Sequence, residues 1–180
     1  MKDLKSILKE CSIKEIYCDN YGAPITYVIP IYQRNYAWER DEICALIKDV
    51  HDSMDMGKTV YYIGTLVTYK RDDNKYEVID GQQRLTTIYI ILRALGVHDI
   101  YNRLTYSARK ASASTIEALS GRGEKDDLGE MPDLGIKNGF DFAKAGLNEI
   151  VGLAQTDVDK FKEYFLNHVH IIHYRVPKDV

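Results

Sequence analysis

Tyr76-Glu77-Val78-Ile79-Asp80-Gly81-Gln82-Gln83-Arg84-Leu85-Thr86-Thr87 changes period halfway along. Lys75–Ile79 reads as a strand, while beyond Gly81 the apolar positions Leu85, Ile88, Tyr89, Leu92 and Leu95 recur with the period of a helix that Gly96 can close. A helix that starts directly after a strand leaves its first N–H groups unpaired at its positive end, a ready site for an anion. Gly81 has no Cβ to hold a phosphate away from the backbone. Arg84, on the first turn, offers a planar fork of donors that suits phosphate oxygens. Gln82 and Gln83 can donate to phosphate or orient a water, Thr86 and Thr87 add hydroxyls, and Asp80 can hold Mg²⁺ through water or orient Arg84. Two plainer readings stay open: a hairpin turn, for which Asp-Gly is a strong signal, and a purely structural cap. The helical period that follows Gln82 speaks against the hairpin.

Upstream lies a second cluster, Ile29-Pro30-Ile31-Tyr32-Gln33-Arg34-Asn35-Tyr36-Ala37-Trp38, with two tyrosines, the only tryptophan, a glutamine and an arginine. Aromatic rings beside Arg34 can stack on a base while the guanidinium takes a phosphate, so Tyr32, Arg34, Tyr36 and Trp38 are candidate base or DNA contacts. The alternative is an aromatic plug over the core with Arg34 paired to a helix.

Further outward, Leu4, Ile7, Leu8 and Cys11 have helical spacing, and Ser12-Ile13-Lys14-Glu15 has the spacing of a capping box. Ile25–Ile29 and Val60–Tyr69 read as strands, with Arg71–Asn74 as the turn before Lys75. Residues 41–55 read as a helix with Ile43, Leu46, Ile47, Val50 and Met54 on one face. Ser112–Leu119 is a short helical segment with Ser112 or Ser114 as cap. Residues 121–139, with five glycines and several acidic residues, read as a mobile loop. Phe140, Ala143, Leu147, Ile150 and Val151 mark another helix, and Thr156 caps one carrying Val158, Phe161 and Phe165. His170–Val176 reads as a final strand. The chain stops at Val180 just as that strand finishes, which suggests a piece of a longer polypeptide.

The 180 residues suit one domain spanning 1–180, and the net charge of −3 provides no general field for DNA, so any nucleic-acid contact is local. No apolar run approaches the ~20 residues of a membrane span. Three sparse cysteines fit a reducing, cytoplasmic setting. Gly57-Lys58-Thr59 imitates the end of a Walker A loop, but Asp52 stands where its first glycine belongs. His168, His170 and His173 do not share a strand face and read as no three-ligand metal site.

Together, Ile29-Pro30-x-Tyr32-Gln33-Arg34-x-Tyr36-x-Trp38 and Asp80-Gly81-Gln82-Gln83-Arg84-Leu85-Thr86-Thr87 resemble the N-terminal domain of GmrSD-type restriction proteins. Tyr62-x-Gly64 and Leu104-x-Tyr106-x-x-Arg109 agree with that family. The resemblance implies an α+β fold of the ParB/sulfiredoxin type, a small mixed sheet with packed helices and a helical extension. It implies phage defence by a modification-dependent restriction protein acting on DNA. Asp80, Gly81, Gln82, Gln83 and Arg84 would then bind and hydrolyse a nucleoside triphosphate, GTP or UTP, with Mg²⁺, coupled to a downstream nuclease domain or partner subunit. Tyr32, Gln33, Arg34, Tyr36 and Trp38 would form the second wall of that pocket or sense DNA. The Asn- and Gly-containing motif and the nuclease domain that usually follow in the family do not appear in the 180 residues. The alternatives are a non-enzymatic ParB-like DNA-binding module and a domain that cleaves DNA itself.

Overall fold

The computed structural model describes residues 8–71, 74–119 and 132–177. Within them six strands, β1 (Leu8–Ser12), β2 (Thr26–Ile29), β3 (Tyr61–Lys70), β4 (Lys75–Asp80), β5 (Leu104–Tyr106) and β6 (Val169–Val176), accompany five helices. These are α1 (Arg40–Asp55), α2 (Gln82–Ala94), α3 (Lys110–Ala118), α4 (Leu134–Ile150) and α5 (Gln155–Asn167), with a 3-10 turn at Glu15–Tyr17. The strands form one mixed sheet in the order β1-β6-β3-β4-β2-β5, which is the expected α+β class. β1 is antiparallel to β6 and β3 to β4, whereas β2 runs parallel to both β4 and β5, and β3 parallel to β6.

Three parallel strands ending on one edge place the site. The residues that follow β2, β4 and β5 all leave the sheet there, as ligand-binding loops do beyond the carboxyl ends of parallel strands. α2 runs back from that edge, and its interior is buried along its whole length, from Leu85 to Arg93. It ends as the glycine predicted. Gly96, at φ +78°, donates its N–H to the Arg93 carbonyl at 3.0 Å, and Val97 N–H reaches Leu92 O at 2.9 Å, a Schellman closure.

All the helices pack on one face of the sheet. Leu66, Val78, Tyr27, Ile29 and Ile171 point into the core they share with Ile43, Ile47, Ile90 and Phe161. Alternate strand residues, Val28, Val67, Tyr69 and Ile172 among them, lie outside that core cluster and face the other way.

Four expectations need correction. Leu8–Ser12 is a strand, not the end of an amphipathic helix, because it pairs with β6 along its length and buries Cys11 completely; Leu4 and Ile7 lie outside the described residues. The capping box after it is real: Ser12 Oγ accepts from Glu15 N–H at 3.2 Å, and Glu15 Oε1 from Ser12 N–H at 3.4 Å. The expected loop at 121–139 ends early. Residues 120–131 lie outside the described residues, but Leu134 already begins α4, with Asp133 as its cap. A Cβ on Gly135 would stand 2.7 Å from the Tyr36 carbonyl oxygen, and one on Gly139 2.8 Å from the Tyr36 ring. Those glycines serve close packing in a helix. α3 begins at Lys110 and α5 at Gln155 with no side-chain cap; Ser112 Oγ instead donates to Asp133 Oδ2 at 2.6 Å. His168 belongs to the end of α5 and stacks on Tyr164, His170 meets Glu10, and His173 is buried, so the three histidines diverge. Among the described residues no group of three His, Cys, Asp or Glu side chains could hold a metal ion, and no helix is long and apolar enough to cross a membrane.

Candidate functional site

Asp80 is the last residue of β4 and Gln82 the first of α2, so the hinge between them is Gly81 alone. Its φ of +93° lies in the left-handed region, which only a residue without Cβ enters freely. The missing Cβ has a second reason. One built there would stand 2.8 Å from the Thr65 carbonyl oxygen of β3. The space that a side chain would fill is therefore taken by β3, and Gly81 is what lets α2 start against the sheet. The hairpin reading is excluded, since a helix follows. No side chain of the cap residue satisfies the first N–H groups of α2, so the helix presents them with its positive dipole end.

Gln83 joins the two sequence clusters. Its Nε2 donates to the Asn35 carbonyl at 2.9 Å and its Oε1 accepts from Ala37 N–H at 2.8 Å, so one buried amide grips the loop that follows β2 at two points. Gln33 grips back, its Nε2 donating to Ile79 O at 2.7 Å. Arg109, just beyond β5, donates from Nη2 to the carbonyls of Ile31, at 3.1 Å, and Gln33. Residues 29–38 and 80–84 are thus a single construction with a cleft between them.

That cleft, about 350 Å³, is lined by Gln33, Arg34, Trp38 and Asp80 through Arg84. It lies at the small end of the range for small-molecule sites. Arg34 is exposed and, among the described residues, has no hydrogen-bond or ion-pair partner, so no described helix holds it as a salt-bridged plug. Asp80 is likewise exposed, with no side-chain partner. Arg84 is half-buried; its Nη1 donates to Thr65 O at 3.0 Å, and among the described residues it is held in no ion pair. Its guanidinium lies where a Cβ on Gly64 would be, 2.7 Å from Cζ, so Gly64 provides its seat. Gln82 is 6% exposed, and its Oε1 is buried without a hydrogen-bond partner. Two guanidinium groups, a free carboxylate, an unsatisfied amide and a helix N-terminus therefore meet in one hollow.

Other predicted residues lie elsewhere. Thr86 and Thr87 are fully buried: Thr86 Oγ1 bonds the Tyr106 hydroxyl at 2.9 Å, and Thr87 Oγ1 donates to Gln83 O and meets the Tyr36 hydroxyl at 2.7 Å. They cannot offer hydroxyls to a ligand in the cleft, because their positions on α2 turn them towards the core. Tyr36 is 4% exposed, and burial pushes its phenol well above the usual range; it is a packing residue, not a stacking platform. Tyr32 is exposed, but its hydroxyl donates to Glu77 Oε1 at 3.1 Å outside the cleft. Burial and then that carboxylate push its phenol upward. Trp38 is the aromatic side chain that lines the hollow.

Gly64 and Arg109 were missed as site residues. A glycine inside a strand pattern, Tyr62-Ile63-Gly64-Thr65, signals a close approach and marked the position that seats Arg84. Nothing local marked Arg109 as the anchor of a loop almost eighty residues away. A larger hollow of about 630 Å³ between α1 and α5 is lined by Asp55, Asp159 and Glu163 with a single lysine, Lys160, and its charge repels a polyanion.

A family model described as GmrSD restriction endonuclease, N-terminal domain, matches residues 13–179. Among curated proteins none matches the chain.

Proposed function

The chain belongs to the GmrSD restriction endonuclease N-terminal domain family, and from that premise we propose that it binds a nucleoside triphosphate in this cleft and hydrolyses it in the service of restriction of DNA. The observation that carries the reading is the convergence on one hollow of Arg34, without a partner among the described residues, of Arg84, bonded there only to the Thr65 carbonyl, and of the uncapped start of α2. A triphosphate presents a chain of negative oxygens. Guanidinium groups and helix N–H donors bind it through charge-assisted hydrogen bonds, each stronger than a neutral one.

Each residue has a part in this scheme. Arg84 releases Thr65 O and takes phosphate oxygens from the sheet side, while Arg34 closes from the loop side. Trp38 gives the base a face to stack on, and Gln82, whose amide lacks a partner, orients a water or a phosphate oxygen. Asp80, whose carboxylate has no side-chain partner among the described residues, fits a magnesium ion held by one carboxylate plus phosphates, the usual arrangement for a cation that keeps most of its waters. Such an ion, when bound, would neutralise charge developing on the transferred phosphoryl group. Gln83 and Gln33 keep the two walls in register without touching the ligand.

Thermal unfolding with each of the four triphosphates and Mg²⁺ tests the binding step. Ligand at about a hundred times its Kd stabilises by about 2.7 kcal/mol, which for a chain of this size raises Tm by about 5–11 °C. Phosphate release with and without Mg²⁺ then separates hydrolysis from binding alone. No shift with any triphosphate, together with retention of DNA, would favour a module that clamps backbone phosphate.

A further inference from the structure

We propose that Arg109, which does not line the cleft, is a positioning residue for it: by holding the backbone beside Arg34, it fixes the guanidinium that closes on the triphosphate from the loop side. Arg34 has no bond of its own among the described residues, and residues 34–39 belong to no helix, strand or turn. Its place opposite the start of α2 is therefore set by whatever holds its neighbours. From Ile29 to Asn35, alternate carbonyls accept from outside the loop. Ile29 O takes the N–H of Ser107 at 2.8 Å, Ile31 O and Gln33 O both take Arg109 Nη2, and Asn35 O takes Gln83 Nε2 at 2.9 Å. Arg34 is thus bracketed, with Arg109 on the carbonyl of the residue before it and Gln83 on the carbonyl of the residue after it.

Two features set this hold apart from a simple gain in stability. Ala108, directly before Arg109 where the chain leaves β5 for α3, stands at φ +59°, left-handed backbone that a residue with a Cβ enters at a cost. Arg109 Nη1 is buried with no hydrogen-bond partner, a charged donor left unsatisfied. Both cost stability, and local strain of this kind collects at functional positions. A guanidinium held in place before the ligand arrives loses less freedom on binding it, and for one long side chain that ordering is worth about 2- to 10-fold in affinity. This effect passes through Arg34 and rests on the triphosphate reading of the cleft; the hold on the loop does not.

Trypsin and calorimetry on the folded chain test the two parts separately. Trypsin cleaves after Arg and Lys, so Arg34 and Lys58, an exposed residue between α1 and β3, are both sites for it. Arg109→Met keeps a straight side chain and removes the donors. It is expected to speed cutting after Arg34 by about 5-fold or more, through the loss of two hydrogen bonds, and to leave cutting after Lys58 unchanged. In titrations with Mg²⁺ and whichever of ATP, GTP, CTP and UTP binds best, Arg109→Met alone is expected to weaken binding by about 2- to 10-fold. In a chain already carrying Arg34→Ala it is expected to weaken binding no further, because both changes act by one route. Should the methionine variant fail to fold, Arg109→Lys, with a single ammonium in place of the planar fork, gives the same changes at smaller size. Cutting after Arg34 that rises no more than cutting after Lys58, or a fall in affinity that persists beside Arg34→Ala, would overturn the proposal. If the unmodified chain binds none of the four triphosphates, the nucleotide reading fails, and the trypsin rates alone then decide whether Arg109 holds the loop.

Discussion

Gly81→Ala and Gly96→Ala lie just before and just beyond the same helix in left-handed backbone, yet the structure assigns them different costs. At Gly96 a Cβ meets nothing within 4 Å, so alanine costs only the backbone strain, about 1 kcal/mol. At Gly81 the same strain applies, and the Cβ also comes within 2.8 Å of Thr65 O and 3.4 Å of Leu66 Cα. Both atoms are backbone of β3, inside the sheet, and neither can swing aside as a side-chain tip would. Either α2 or β3 must shift, and forcing such a shift in a packed region adds about 1–3 kcal/mol. The total at Gly81 is about 2–4 kcal/mol. For a chain of this length one kcal/mol moves Tm by about 2–4 °C, so Gly96→Ala should lose about 2–4 °C and Gly81→Ala about 4–16 °C. Scanning calorimetry, supported by urea unfolding, measures both. Equal losses, or a smaller one at Gly81, would refute the argument that β3 dictates the glycine.

Two further outcomes follow from buried polar groups. Gln83→Ala leaves Asn35 O and Ala37 N–H without their partner, at about 1–3 kcal/mol for each group left unpaired. Urea unfolding should show a loss of about 2–6 kcal/mol, with faster protease cutting within 30–38 than in the unmodified chain. His173 is fully buried, and burial, then Arg175 and Lys9, depresses its pKa to about 3 from the ordinary 6.5. Its imidazole is neutral when folded, so between about pH 6.5 and pH 3 the unfolded chain binds the extra proton and stability falls as the pH drops. The slope is about 1.4 kcal/mol per pH unit in that window and absent above it. Urea midpoints at pH 7, 6 and 5 should trace this fall, and His173→Asn should flatten it.

What could be read before any coordinates was local. The strand-to-helix junction at Asp80–Gly81, the α1 face of Ile43, Leu46, Ile47 and Val50, and the Gly96 stop all follow from period and backbone freedom within a few residues. Leu8–Ser12 failed because its partner, β6, lies some 160 residues away, and a short apolar spacing cannot announce so distant a pairing. Gly135 and Gly139 misled because composition treats glycine as a loop former, whereas here Tyr36 needs the room. In the site, the run at 80–84 lies together along one cleft. Helix phase then decided which side chains face the cleft: Gln82, Gln83 and Arg84 of the first turn line it, while Thr86 and Thr87 serve the core.

The central claim is that Arg84 receives a triphosphate at the start of α2. Isothermal titration calorimetry with Mg²⁺, comparing the unmodified chain and Arg84→Ala against the triphosphate that stabilises best, addresses it directly. Losing a bidentate, charge-assisted contact costs about 2–4 kcal/mol, so affinity should fall by about 30- to 1,000-fold while the variant stays folded, since Arg84 gives up only its bond to Thr65 O. Unchanged binding by a folded Arg84→Ala chain would contradict the account.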